Sequence, residues 1–274
     1  MSDQVARVSN DWLALREPAD AEARSRELVE HLGSPATGRW VIHDLGGGTG
    51  SMGRWLAPLL PGPQHWIVRD WDTDLLALAD LPRAAADGAT VTFETRRSDI
   101  TRLQPGELAG STLITASALL DMLTADELAR LLSACGGAGC PILLALSVVG
   151  RVGLNPPDPL DRRVAAAFND HQRRSTPRGR LLGPDAVALA AAQLERLGAE
   201  VLVRPSPWRL GAAHADLAEV WFTGWVRAAC EQWPELSAEA EAEVEAYAHR
   251  RLAQAAAGAL EVTVDHADLL ALPG

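Results

Sequence analysis

The chain contains no lysine; all 25 of its basic residues are arginine. That absence excludes a Schiff-base amine, a Walker-type phosphate lysine and a Tyr/Lys dehydrogenase couple. Tyrosine is nearly missing as well, with Tyr247 alone among 274 residues. The cysteines are Cys135, Cys140 and Cys230, an odd set without a CxxC pair, which argues against a disulfide framework or a structural metal. No apolar run approaches the roughly 18 residues needed to cross a bilayer. Met1-Ser2-Asp3-Gln4 lacks the charged-then-apolar start of a signal peptide, so the expected location is cytoplasmic, with no membrane partner. Positive charge is outnumbered by 36 acidic residues; the net −11 repels phosphate backbones, and no nucleic-acid partner is expected.

What is present is a globular composition, 47% hydrophobic and 22% charged, able to bury a full core. An amphipathic helical cap is expected over 11–33, broken once at Pro18 and closed by Gly33-Ser34-Pro35. Strands at 40–45, 65–70, 90–94, 111–115 and 141–146 then alternate with helices near 52–60 and 75–79 and from the capping-box spacing Thr124–Glu127 to Gly136-Gly137. Such alternation predicts an α/β fold with a doubly wound, mostly parallel seven-stranded sheet. Residues 151–180 read as a basic loop with seven arginines, 184–197 as a helix and 200–203 as the sixth strand. A helical insertion over 214–257, its last helix starting at Ser237, precedes a seventh strand at 260–264. The expected organisation is one unit: a helical cap (1–35), a cofactor-binding core (36–150) and substrate-side segments (151–274).

Asp44-Leu45-Gly46-Gly47-Gly48-Thr49-Gly50 directly follows the first strand. Glycines let a backbone turn sharply and approach a ligand, and the next helix points free N–H groups at it. Asp70, twenty residues past Gly50, closes the second strand, where a carboxylate can accept both hydroxyls of an adenosine ribose. Gly48-Thr49-Gly50-Ser51-Met52-Gly53 also spells GxGxxG, the dinucleotide fingerprint. That fingerprint starts at the strand end, however, whereas here an acid and two glycines come first.

Residues 36–147 resemble the class I S-adenosylmethionine-dependent methyltransferases, a Rossmann-like family. The family's first motif, an acid, one residue, then GxGxG, is matched by Asp44, Gly46, Gly48 and Gly50. Its second, an acid closing the next strand, is matched by Asp70, its third by Asp99-Ile100, and Ser117-Ala118 occupies the fourth position. Ser111 departs from the pattern, standing where the family usually opens the fourth strand with Asp. The resemblance implies S-adenosylmethionine as cofactor. It places Gly46, Gly47, Gly48 and Gly50 under the methionyl part, with Met52 in the helix behind. By the same likeness Asp44 faces the amino group, Asp70 takes the ribose, Trp71 flanks the adenine, and Asp99 accepts from its exocyclic amine.

Ligands of open α/β sheets lie beyond the carboxyl ends of the strands. Asp121, after the fourth strand, is expected to face the transferred methyl. His171 titrates near neutrality and is the expected general base, with Asn169, Arg173 and Arg174 as expected substrate contacts. The arginine-rich stretch favours an anionic substrate. Trp208, Trp221 and Trp225 offer either an aromatic wall or core packing, and Trp12–Arg16 is a candidate lid. The expected activity is metal-free methyl transfer to a small metabolite or natural product. Two alternatives stay open: an NAD(P)-dependent oxidoreductase using Gly48, Gly50 and Gly53, and a non-catalytic S-adenosylmethionine-binding protein.

Overall fold

The computed structural model describes residues 9–233 and 238–274, so the expected helix start at Ser237 lies outside the described residues. Five parallel strands form the frame: β1 (Trp40–Leu45), β2 (Gln64–Asp70), β3 (Val91–Arg97), β4 (Leu113–Ser117) and β5 (Ile142–Asn155). After a two-residue hairpin pair, β6 (Ser175–Thr176) and β7 (Gly179–Arg180), come β8 (Glu200–Pro205), β9 (Trp208–Leu210) and β10 (Glu261–Leu272). The main sheet has eight strands in the order β3-β2-β1-β4-β5-β10-β8, with β9 also paired to β10. The last strand, β10, runs antiparallel to β5, β8 and β9.

The alternation of the sequence shows the parallel frame, and the family resemblance implies the antiparallel finish; the length of the antiparallel arm is what the sequence conceals. β5 continues nine residues past Leu146, through what reads as the start of a basic loop, because β10 pairs with it from Ile142 to Asn155. The rest of 151–180 is not loop either. It holds helix α6 (Asp161–Gln172) and the β6–β7 hairpin, and its arginines lie on exposed or half-buried faces. β4 starts at Leu113, so Ser111 precedes the strand and its hydroxyl donates to the Leu108 carbonyl. β9 adds the eighth strand, one more than expected.

The N-terminal cap is two helices, α1 (Asn10–Ala23) and α2 (Arg26–Glu30). The break falls at Arg24-Ser25, where the Ser25 hydroxyl caps α2 and its N–H donates to Asp268 at 2.7 Å. Pro18 sits inside α1 without ending it. The remaining helices are α3 (Ser51–Leu56), α4 (Thr73–Ala77), α5 (Ala125–Gly136), α7 (Ala186–Arg196), α8 (Ala215–Cys230) and α9 (Ala238–Ala256). α5 starts at the predicted capping box, Thr124 and Glu127 exchanging both hydrogen bonds.

One apolar cluster covers each face of the sheet, and a third joins α6, α8, α9 and the β9–β10 arm. In that third cluster Arg251 and the Tyr247 hydroxyl converge on Asp161, pinning α9 to α6.

Candidate active site

Strand order reverses between β1 and β4, and crevices form at such a switch point. Over the carboxyl ends of the strands there lies a cavity of about 1360 Å³. That exceeds the roughly 300–1,000 Å³ of an ordinary small-ligand pocket and leaves room for two molecules side by side.

One end is built by the glycine loop. The Gly48 N–H donates to Asp70 Oδ2 at 3.0 Å, while the Asp72 N–H holds Oδ1 at 2.9 Å, so the two motifs meet in one register. Gly48 has φ +51, which L side chains rarely adopt, and a Cβ there would meet nothing nearer than 3.6 Å. At Gly47 the reason is contact: a Cβ would stand 2.5 Å from Asp44 Oδ2. Asp44 is buried, with Oδ1 accepting from the Thr115 hydroxyl at 2.8 Å and Oδ2 left without a partner. Burial pushes its carboxyl up to about 7, against the pull of Thr115 and of the Arg24 charge. Asp70 is also raised by burial, against the backbone N–H groups that hold it.

Trp71, Asp99 and Ile100 line the same end, with Trp71 38% exposed. Asp99 caps the short turn after β3 through the Thr101 N–H. Ser117 and Ala118 edge the cavity after β4, with Met52 behind the loop. Ala118 (φ 51) and Leu146 (φ 55) are the non-glycine residues in left-handed backbone among those described. Ala118 directly follows β4 and Leu146 lies within the neighbouring β5; both line the cavity, held by the Ala145 carbonyl and by Asp268. Strain of this kind gathers at ligand sites.

The other end is aromatic. Val148 and Val152 of β5, Val264 and His266 of β10 and Trp208 of β9 make its floor, Phe168 and Trp221 a wall. Trp225 is not part of it; it is buried beneath, stacked on Trp221 at 5.3 Å. α1 forms the roof with Trp12, Leu13 and Arg16. Asp20 anchors that roof: it accepts from Arg16 Nε at 2.9 Å, Arg16 Nη2 at 3.1 Å and Trp208 Nε1 at 2.9 Å. Glu17 and Arg54 bind α1 to α3 through two 2.6 Å contacts.

Asp121 lies half-buried on the cavity wall, as its position after β4 predicts. Burial pushes it up to about 6, although Arg16 and Arg174 pull the other way.

The remaining expected site residues are elsewhere. Asn169, His171, Arg173 and Arg174 are not on the cavity wall, because α6 turns them toward its neighbours. Asn169 donates to the Gly150 carbonyl at 2.8 Å, and Arg173 pairs with Asp185 at 2.7 Å. His171 Nδ1 lies 3.3 Å from Glu231 without hydrogen-bond alignment. Burial and Arg174 lower the affinity of His171 for a proton. Of the arginines that suggested an anionic substrate, Arg173 and Arg174 are thus outside the cavity, whereas Arg178 lines it, paired with Glu127 at 3.0 Å.

Sequence reasoning missed Asp20 and His266. His266 packs on Trp208 at 5.2 Å and is pushed down to about 3 by burial, so it is neutral. Neither carries a local motif; only the long-range pairing of β10 with β9 and the docking of α1 bring them in.

Among the described residues no helix is long and apolar enough to cross a membrane, and no His/Cys/Asp/Glu cluster could hold a metal ion.

No protein-family model matches the chain, and no curated protein sequence does. Solved structures do. The cyclopropane synthase MmaA2 from Mycobacterium tuberculosis aligns over 96% of this chain and 94% of its own, with TM-score 0.50 and 14% identity. The mycolic acid cyclopropane synthase CmaA1, complexed with S-adenosylhomocysteine, aligns over 89% and 81% with TM-score 0.47 and 12% identity. An O-methyltransferase family protein from Burkholderia thailandensis aligns over 70% and 53% with TM-score 0.45 and 17% identity. With its parallel frame, antiparallel finish and a glycine loop at the switch point, the chain has the Rossmann-like methyltransferase fold.

Proposed function

We propose that this chain is an S-adenosylmethionine-dependent methyltransferase acting on a small molecule. The observation that carries the reading is the 3.0 Å bond between Gly48 N–H and Asp70, which joins the glycine loop and the β2 acid at the mouth of one cavity. The residues fit the cofactor. The cradle has no Cβ at Gly48, Asp44 offers a buried carboxyl with an unpartnered oxygen, and Asp70 retains acceptor capacity beyond its backbone bonds.

In this reading Gly46, Gly47, Gly48 and Gly50 lie beneath the methionyl part, with Met52 behind them and Asp44 near its amino group. Asp70 binds the ribose, Trp71, Asp99 and Ile100 surround the adenine, and Ser117-Ala118 lies under the sulfur. The bound cofactor supplies a methyl already activated on a sulfonium, so the chain must chiefly align the acceptor and exclude water. The α1 roof, fixed by Asp20 and Glu17, does the excluding. Asp121 is the acceptor-side carboxyl positioned to take a proton, and His171 has no part in the chemistry.

Calorimetric titration separates this reading from its rival. S-adenosylhomocysteine should bind and NAD⁺ should not; binding of NAD⁺ alone would overturn the proposal.

A further inference from the structure

The aromatic end of the cavity has a charge balance that bears on what it accepts. Of the arginines lining the cavity, Arg16 is neutralised by bidentate pairing with Asp20 and lies over the Trp208 ring at 4.9 Å, while Arg178 is paired with Glu127 and Arg102 with Asp99. His266 is buried and uncharged. Asp121 has no such partner: among the described residues no other side chain donates a hydrogen bond to it, and no ion pair reaches it. Arg174 acts on it only from a distance and is itself exposed. Asp121 is therefore a carboxyl without a bonded counter-charge, in a cavity that the half-buried rings of Trp12, Phe168 and Trp221 also line.

A carboxylate short of a partner in apolar surroundings gains most from a group that brings both positive charge and N–H donors, and aromatic faces attract cations as well. We propose that the methyl acceptor is an organic amine with an apolar or aromatic body, its nitrogen held by Asp121. This rests on the methyltransferase reading and names its substrate class. Burial already raises the Asp121 carboxyl to about 6, near enough to neutrality to exchange a proton with an ammonium. The ammonium proton passes to Asp121 and frees the nitrogen lone pair. A nitrogen–carbon bond then forms as the carbon–sulfur bond breaks, leaving a methylated ammonium and a neutral thioether. An anion would instead face Asp121, with the nearby Arg16 already taken by Asp20.

The test is calorimetry on protein saturated with S-adenosylhomocysteine, using 2-phenylethylamine, 3-phenylpropionate and 2-phenylethanol as matched probes. The amine should bind at least tenfold more tightly than the acid or the alcohol. Asp121→Asn, on a folded protein by circular dichroism, should weaken amine binding at least tenfold and leave the homocysteine derivative unaffected. The inference is overturned if the acid or alcohol binds as well as the amine, if Asp121→Asn binds the amine normally, or if none of the three binds. Failure of S-adenosylhomocysteine to bind would overturn the methyltransferase reading instead. The same probes titrated into the free protein would then decide the preference of the chamber by the same criteria.

Discussion

Asp20→Ala is the perturbation whose cost the structure allows to be worked out most fully. Asp20 is 4% exposed and accepts three hydrogen bonds, two from the Arg16 guanidinium and one from the Trp208 indole. Truncation leaves a largely buried arginine without its counter-charge and a buried indole N–H without an acceptor. Breaking one side of a buried pair typically costs about 3–5 kcal/mol, far more than an exposed pair is worth. At roughly 2–3 °C per kcal/mol for a chain of this size, the melting temperature should fall by ~6–15 °C. Urea denaturation and thermal melts read the loss directly. Asp20→Asn keeps an acceptor for Trp208 but leaves Arg16 unneutralised, so adding Arg16→Met to it should recover more than half of its loss. A loss below about 1 kcal/mol for Asp20→Ala, or strict additivity in the Arg16/Asp20 double-mutant cycle, would refute the idea that this acid fixes the α1 roof.

Gly48→Val should abolish cofactor binding while circular dichroism stays native, since its Cβ would enter cavity space and φ +51 would cost about 1–2 kcal/mol; normal binding would make the loop a mere turn. Asp44, at about 7, holds a proton in the folded chain that the unfolded chain releases near pH 4, so its contribution to stability is lost as pH rises from about 4 to 7. Asp44→Asn should therefore gain on the wild type in thermal melts between pH 5 and pH 8, and parallel curves would contradict the burial argument. His171→Ala should leave cofactor affinity within about twofold, because its ring lies beside Glu231 off the cavity wall; a tenfold loss would return it to the site.

How legible the site was follows from where its information is stored. The glycine loop and the acid closing β2 are local patterns whose spacing survives folding, which is why Asp44, Gly48 and Asp70 could be grouped from sequence. Asp121 was legible for the same reason, following β4 by four residues. His171 was misjudged because composition carried it: a histidine among arginines looks reactive until α6 is seen to turn it toward Glu231 and away from the cavity. The aromatic end was legible only in part: Trp208 and Trp221 were candidates for an aromatic wall and Trp12–Arg16 for a lid, but Phe168 and His266 join them only through the β5–β10–β9 arm and the docking of α1. The extended β5 was hidden similarly, as its second half is partly exposed and interrupted by Gly150 and Gly153.

Calorimetry of S-adenosylhomocysteine with the wild type and with Asp70→Ala tests the central claim most directly. The account predicts binding to the wild type and a loss of roughly 1.5–3 kcal/mol, or about 10–150-fold, in a folded Asp70→Ala variant, the scale of hydrogen bonds made to a charged group. Equal affinity in the two proteins would remove Asp70 from the site, and with it the claim that this cavity holds the cofactor.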